Sequence, residues 1–172
     1  MAAKTVYLSL GSNLGEREEN LRRACEALER EHLHIVSRSS VYETEPQDVT
    51  GQRWFLNMAV ECETRCFPIQ LLTMLQRIER ELGRVRGAGT VRRGPRTIDI
   101  DILLFGSVTM ETPQLVIPHP RMIERRFVLE PLVEIAPELR HPGSKEPFTR
   151  YLGQVSRQKV HKIESALSDR IR

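Results

Sequence analysis

The stretch IDIDILLF at residues 98–105 carries the strongest β-strand signal in the chain. Because side chains alternate between the two faces of a strand, Asp99 and Asp101 project from one face and the isoleucines project from the other. Aspartate is disfavoured in strands, and two carboxylates on the same face repel each other unless a cation lies between them. The pattern predicts a strand that packs against a core with one face and binds a ligand with the other.

A divalent cation would offset the repulsion between Asp99 and Asp101. Mg²⁺ prefers a few carboxylate oxygens together with water and phosphate oxygens, which two strand carboxylates beside a nucleotide would supply. The local pattern leaves a second interpretation open, in which both carboxylates face solvent or pair with neighbouring arginines.

The residues just before this strand form a basic stretch at 84–98 without an Asp or Glu. Its arginines are Arg84, Arg86, Arg92, Arg93 and Arg96. A guanidinium group stays charged and presents a fixed fork of donors that suits phosphate oxygens. Beside the aspartate pair, the stretch predicts a clamp for a nucleotide triphosphate, although composition alone fits a solvated basic loop or a nucleic-acid contact equally well. Neither a Walker A nor a GxGxxG motif is present, so the site is not of the P-loop or Rossmann type.

Outward from this strand, hydrophobic periodicity gives the order of the elements. It predicts strands at residues 5–10, 35–42, 55–63 and 98–105, and helices at about 14–31 and 67–82. This βαββαβ order indicates an α+β, ferredoxin-like fold, with an antiparallel sheet, both helices on one face, and the other face free for ligands. C-terminal additions follow, namely a short strand at 115–117, a helical segment at 126–135 and a turn or helix at 147–155.

Length and composition limit the remaining possibilities. The chain has 172 residues, 40% of them hydrophobic and 28% charged, which is typical of one globular domain. We expect that domain at residues 1–160 and a charged, disordered tail at 161–172. The sequence has neither a run of about 18 apolar residues nor a signal segment at its N-terminus, which favours the cytoplasm. Its three cysteines fit no common zinc or redox spacing.

Several segments together resemble one enzyme family. They are YLSLGSNLGER at residues 7–17, YET at 42–44, FLN at 55–57, GPRTIDIDILLFG at 94–106 and IPHPRMIERRFVLEPLVEIAPE at 117–138. Over about residues 5–140 the chain closely resembles 6-hydroxymethyl-7,8-dihydropterin pyrophosphokinase, and GPRTIDIDIL followed by IPHP and FVLEPL is a highly specific signature. The resemblance implies that residues 1–160 are a pyrophosphokinase domain of ferredoxin-like fold.

The resemblance also implies an activity in folate biosynthesis. Members transfer the diphosphate of ATP to the hydroxymethyl group of 6-hydroxymethyl-7,8-dihydropterin and release AMP, with two Mg²⁺ ions bridging the triphosphate. We therefore expect ATP and the pterin as substrates, and a cytoplasmic monomer that binds neither nucleic acid nor membrane. The sequence does not identify a general base, although Asp99 or a metal-bound water would serve as a proton acceptor.

Residue by residue, the resemblance implies the following site. Catalytic roles belong to Arg84, Arg96, Asp99 and Asp101, the last two being the Mg²⁺ ligands; ATP contacts belong to Gln76, Glu79, Arg84, Arg86, Arg96, Ile102, His119 and Arg125; pterin contacts belong to Thr44, Phe55, Asn57, Asp99 and Phe127. The two phenylalanines match an aromatic pair that sandwiches the pterin ring, and loops at about 44–53 and 84–94 match segments that close over the substrates. Taken alone, a lone histidine or phenylalanine is more often structural, so that interpretation stays open for these residues.

One position departs from the family pattern. Arg93 lies directly before Gly-Pro-Arg, where members commonly carry a tryptophan that would help to seal the closed loop by stacking. Trp54, in the other loop, is a candidate for a partial substitute.

Two other functions fit parts of the sequence. The same element order builds modules that bind single-stranded RNA, but those modules present aromatic side chains on the central strands. Here the corresponding strand presents Asp99 and Asp101, whose carboxylates would repel the phosphates of RNA. A metal-dependent nuclease would use the same aspartate pair.

Overall fold

A six-stranded antiparallel sheet runs through the computed structural model of the protein, which describes residues 2–47, 51–83 and 96–168. The strands are β1 Lys4–Ser12, β2 His34–Arg38, β3 Val41–Thr44, β4 Phe55–Thr64, β5 Asp99–Phe105, β6 Met110–Glu111, β7 Val116–Ile117 and β8 Val160–Ile163. The helices are α1 Arg17–Arg30, α2 Pro68–Glu81, α3 Arg126–Ile135 and α4 Phe148–Gln154.

The sheet has the order β5-β1-β4-β3-β8, and β2 pairs with the far end of β4 beside β3. β6 and β7 form a separate two-stranded ribbon. β1 lies between β5 and β4, where Leu8 is opposite Val60 on β4 and Ile102 on β5. The predicted α+β class and antiparallel βαββαβ core are therefore confirmed.

Helices α1 and α2 cover one face of the sheet. Leu21 and Leu28 on α1, together with Leu71 and Ile78 on α2, are buried with Leu8 in one hydrophobic cluster. Full burial of each such side chain contributes about 1.5–3 kcal/mol to folding. The apolar spacing that predicts the helices therefore marks the faces with which they pack.

Both ends of α2 have a local cause. Pro68 occupies the first turn, where a main-chain N–H would lack a helical partner in any case. The side-chain Oε1 of Gln70 accepts a hydrogen bond from the main-chain N–H of Phe67 at 2.9 Å. Beyond the C-terminus, Gly83 has a φ of +95°, which glycine adopts without steric cost. The helix thus ends immediately before the arginine-rich stretch.

The C-terminal additions cover part of the second face, which the sequence pattern predicts to be free. Leu129 and Leu132 of α3 and Phe148 of α4 pack in a second cluster with Tyr7 of β1 and Leu103 of β5. Periodicity shows that a helix has an apolar stripe but not which face of a sheet receives it. The end of this face near Gly11 and Asp99 stays open.

Two segments differ from the predicted elements. The single strand predicted at 35–42 is divided into β2 and β3 at Ser39, whose Oγ accepts the main-chain N–H of Ala59 at 2.9 Å. The disordered tail predicted at 161–172 is wrong for residues 161–168, because β8 pairs with β3 and Leu167 is buried in the main cluster. Residues 169–172 lie outside the described part of the chain. None of the helices in the described ranges combines the length and the apolar character that a membrane span requires.

Candidate active site

A pocket of about 300 Å³ opens on the uncovered end of the sheet. It is lined by Ser9, Gly11, Thr44, Glu45, Pro46, Gln47, Gln52, Phe55, Asn57, Arg96, Asp99, Asp101, His119, Pro120, Arg121, Arg125 and Phe127. Nine of these residues are site residues named from the sequence. They come from β3, β4, the residues just before β5, β5 itself, the chain before α3, and α3. The structure therefore brings most of the predicted site together.

The aspartate pair projects into this pocket as the strand pattern predicts. Asp99 is opposite Gly11 and Asp101 is opposite Ser9 on β1, so both lie on the open face. Arg96 Nη1 donates a hydrogen bond to Asp99 Oδ2 at 2.9 Å, and each of these side chains is 19% exposed. A guanidinium group and two carboxylates thus share one wall of the pocket.

Asn13 holds Arg96 in place, a role that the sequence did not reveal. Its Oδ1 accepts the main-chain N–H of Arg96 at 2.7 Å, and its own main-chain N–H donates to the Arg96 carbonyl oxygen at 3.0 Å. Its Nδ2 donates to Gln52 Oε1 and to the Arg53 carbonyl oxygen, both at 3.0 Å. The turn after β1 therefore joins Arg96, which precedes β5, to Gln52 and Arg53, which precede β4.

The opposite wall is aromatic with a polar edge. Phe55 begins β4, and Phe127 lies in the first turn of α3, with the guanidinium carbon of Arg125 5.5 Å from its ring centroid. Asn57 and Thr44 are both buried, and Asn57 Nδ2 donates a hydrogen bond to Thr44 Oγ1. A flat heterocycle with hydrogen-bonding groups along one edge would fit these features.

His119 enters the pocket as a neutral side chain. Its Nδ1 accepts the main-chain N–H of Arg121 at 3.2 Å, so the ring proton lies on Nε2. Burial, and then the positive charge of Arg125, lower the pKa of His119 to about 4, while Asp99 opposes the shift. The imidazole can therefore donate a hydrogen bond from Nε2 near neutral pH.

Three residues expected at the ATP site lie away from this pocket, on the helix side of the sheet. Ile102 is buried in the main hydrophobic cluster. Glu79 is also buried, and its Oε2 accepts the main-chain N–H of Ile100 at 3.3 Å. Gln76 lies on α2, which packs on the same side. The structure therefore does not support a direct role in this pocket for the side chains of Gln76, Glu79 and Ile102.

Other predicted residues lie outside the described ranges or have another partner. Arg84, Arg86 and Arg93 lie outside the described residues, as does the whole of the loop predicted at 84–94. Trp54 stacks on His161, with ring centroids 6.1 Å apart and planes at 5°, and is not among the residues that line the pocket. Arg121 lines the pocket but was not predicted; the only signal in the sequence is a basic residue directly after His119-Pro120.

The donor set limits which metal the pocket suits. Within residues 2–47, 51–83 and 96–168, no group of three or more His, Cys, Asp or Glu side chains is placed to hold a metal ion. A pair of carboxylates leaves most coordination positions to water and ligand oxygens, which suits Mg²⁺ rather than a structural Zn²⁺. The arrangement can bind an anionic ligand with one wall and an aromatic ring with the other.

Comparison with known proteins gives concordant results. A family model described as 7,8-dihydro-6-hydroxymethylpterin-pyrophosphokinase (HPPK) matches residues 7–137. The chain is 52% identical over 135 residues to the 2-amino-4-hydroxy-6-hydroxymethyldihydropteridine pyrophosphokinase of Bacillus subtilis, covering 78% of this chain and 79% of the relative. It is 43% identical over 141 residues to the protein of the same name from Pseudomonas aeruginosa, covering 81% and 85%.

Longer proteins also contain a similar segment. The chain is 39% identical over 163 residues to the folic acid synthesis protein fol1 of Schizosaccharomyces pombe, covering 94% of this chain but 22% of that protein. A wild-type HPPK-DHPS structure of Plasmodium falciparum with pteroate aligns at a TM-score of 0.70 and 17% identity, covering 89% of this chain and 42% of the solved chain. At that identity the structural match shows the fold alone.

Proposed function

We propose, because the chain belongs to the 7,8-dihydro-6-hydroxymethylpterin pyrophosphokinase family, that it transfers the diphosphate of ATP to the hydroxymethyl group of 6-hydroxymethyl-7,8-dihydropterin. The hydroxymethyl oxygen of the pterin forms a bond to the β-phosphorus and its proton passes to Asp99 or to water. The bond between the β-phosphorus and the oxygen that bridges it to the α-phosphorus breaks, and AMP leaves with that oxygen. The observation that supports this reaction most directly is one pocket lined by Asp99, Asp101 and Arg96 on one wall and by Phe55 and Phe127 on the other.

Asp99 and Asp101 are the residues that would hold Mg²⁺. They project from one face of β5, and Mg²⁺ accepts few carboxylates when phosphate oxygens complete its coordination. We propose two ions, as the family resemblance implies. When bound, Mg²⁺ neutralises charge on the triphosphate and polarises its phosphorus–oxygen bonds.

The remaining polar residues of the pocket act on the phosphates. Arg96 has a main chain fixed by Asn13, so its guanidinium needs little reorganisation to offset charge on the transferred oxygens. Neutral His119 donates from Nε2, and Arg125 adds a positive charge beside Phe127. We extend the same role to Arg84 and Arg86 on the resemblance alone.

The aromatic wall positions the second substrate. A ring stacked between Phe55 and Phe127 would be held by area burial and aromatic contacts, and Asn57 and Thr44 would pair with its polar edge. Fixing the hydroxymethyl oxygen in line with the departing AMP supplies most of the catalysis in a reaction that depends on positioning and charge.

Release of AMP that depends on the pterin tests this proposal. The protein with ATP and Mg²⁺ should give AMP and the pterin diphosphate in equal amounts, and no AMP when the pterin or Mg²⁺ is omitted. Cleavage of a nucleic acid in place of this reaction would support the nuclease alternative, and tight binding of single-stranded RNA without turnover would support the RNA-binding one. The pocket does not favour the RNA-binding alternative, because its carboxylates would repel the phosphodiester backbone of RNA in the absence of metal. A monomeric, cytoplasmic enzyme stays a prediction.

A further inference from the structure

A segment beyond the residues matched by the family model links the two elements that flank the aromatic pair of the pocket. We name residues 156–168 the C-terminal strap; the match ends at residue 137. The strap contacts the start of α3 and then pairs with β3. These two elements carry Phe127 on one side and Thr44, beside Phe55, on the other.

The first half of the strap holds the N-terminus of α3 through Gln158. Its Oε1 accepts the main-chain N–H of Arg126 at 2.8 Å, and its Nε2 donates to the Glu124 carbonyl oxygen at 2.7 Å. Arg126 Nη1 in turn donates to the carbonyl oxygens of Gln158 and Ser156, at 2.8 and 3.1 Å. The first N–H groups of a helix lack partners within it, so Gln158 caps α3 from a distant part of the chain. In the sequence, Arg126 is flanked by two residues that line the pocket, Arg125 and Phe127.

The second half of the strap holds the side of the pocket formed by β3 and the start of β4. Val160 is opposite Thr44 in the β3–β8 ladder, and the main-chain N–H of Glu45 donates to the Lys159 carbonyl oxygen at 3.2 Å. His161 stacks on Trp54, the residue before Phe55, with centroids 6.1 Å apart. Thr44 and Glu45 both line the pocket, so the strap contacts the β3 side of the pocket directly.

Only a few residues separate these two attachments. An extended chain spans at most about 3.3–3.6 Å per residue, so the peptide from Gln158 to His161 allows little change in their separation. We propose that Gln158 and His161 are positioning residues that set the spacing between Phe127 and Phe55 and thereby the fit of the pterin ring. This inference rests on the proposed function, and it assigns the strap to the pterin side of that site.

The far end of the strap has its own anchors. Leu167 is buried in the main cluster, and Ser168 Oγ accepts the main-chain N–H of Val41 at 3.3 Å. Substitutions at Gln158 and His161 should therefore loosen the attachments near the pocket without releasing the strap.

The test compares kinetic constants for the two substrates in the full chain. Gln158→Met removes both side-chain hydrogen bonds at similar volume, and His161→Ala removes the stacked ring. We expect the double variant to raise KM for the pterin about tenfold, the effect of losing one to two net hydrogen bonds, while KM for ATP changes less than about twofold. His161→Phe, made in the chain that keeps Gln158, retains a stacking ring. It should restore most of the pterin affinity that His161→Ala loses.

Lys159→Ala is the matched control, since its side chain is exposed and its carbonyl oxygen makes the contact with Glu45. A pterin KM equal to that of this control would overturn the proposal. So would a parallel change of both KM values with the melting temperature, because a purely structural role predicts that pattern. Pterin binding is also titrated by fluorescence. A wild type that binds pterin but releases no AMP would contradict the proposed function, and the Kd ratio of the variants would still decide the role of the strap.

Discussion

Gly11 on β1 and Asn57 on β4 face each other with no room for a methyl group between them. A Cβ atom at position 11 would lie 2.6 Å from Asn57 Oδ1, well inside van der Waals contact. Asn57 is buried and donates to Thr44 Oγ1, so its side chain cannot rotate away without losing that hydrogen bond. The glycine therefore sets the orientation of the amide that we assign to the edge of the pterin.

Gly11→Ala should therefore weaken pterin binding more than ATP binding. Displacing the Asn57 amide removes its hydrogen bond to the pterin and shifts Thr44, its hydrogen-bond partner. We therefore expect KM for the pterin to rise about tenfold or more. Steady-state kinetics with each substrate varied in turn measures the effect. Gly153→Ala is the control, because the added Cβ would meet no atom within 4 Å apart from its chain neighbours and the backbone of its own helix. Equal changes in the two KM values would contradict the assignment of Asn57 to the pterin.

Replacing either aspartate should abolish turnover without unfolding the protein. Asp99→Asn and Asp101→Asn keep the shape of the side chains but remove the charges that we assign to Mg²⁺, and they relieve carboxylate repulsion. We expect kcat to fall by at least about a hundredfold. The melting temperature of Asp101→Asn should stay equal or rise, whereas Asp99→Asn also loses the ion pair with Arg96 and should melt at or slightly below the wild-type temperature.

A Mg²⁺ titration monitored by AMP release measures this loss. Glu63→Gln, an exposed carboxylate on β4, serves as the control and should retain wild-type kinetics. An Asp101→Asn enzyme with normal activity at the wild-type Mg²⁺ concentration would refute the metal assignment.

Arg84→Ala should lower kcat far more than it weakens ATP binding. The family resemblance assigns Arg84 to a loop that acts after closure, so its contribution belongs mainly to the transition state rather than to the bound ground state. The measurement pairs kcat with the Kd of a non-hydrolysable ATP analogue. Losses of equal size in both quantities would contradict a role in closure.

The parts of the fold that follow from local pattern were predictable. The alternation at Asp99 and Asp101 gives the binding face of β5, and the apolar spacing of α1 and α2 gives the faces that they bury. Partners distant in sequence were not predictable from such patterns. Asn13 looks like an ordinary turn residue, but its partner Arg96 lies 83 positions further along the chain.

β8 shows a second limit of the same kind. Two of its four residues are polar and the pattern does not alternate, because a strand at the edge of a sheet is stabilised largely by its main-chain ladder, here with β3. The site residues Thr44, Phe55 and Phe127 came from family resemblance, since no local pattern distinguishes them from core residues.

His119 should make stability depend on pH in the acid range. Its pKa is about 4 in the folded protein and 6.5 in an unfolded chain, so between these values the unfolded chain binds a proton that the folded one does not. Stability is therefore complete above pH 6.5 and is lost as the pH falls towards 4, by roughly 1–2 kcal/mol between pH 7 and 5.

His119→Asn removes this titration while its Oδ1 can still accept the main-chain N–H of Arg121. Urea unfolding of both proteins at pH 7 and pH 5 gives the comparison, in which every other titrating group is common to the two chains. We expect the wild type to lose about 1–2 kcal/mol more than the variant over this range, because only the wild type must exclude a proton from a buried imidazole beside Arg125. Equal losses in the two proteins would show that the ring is protonated in the folded state at pH 5, and His119 would then meet the phosphates as a cation.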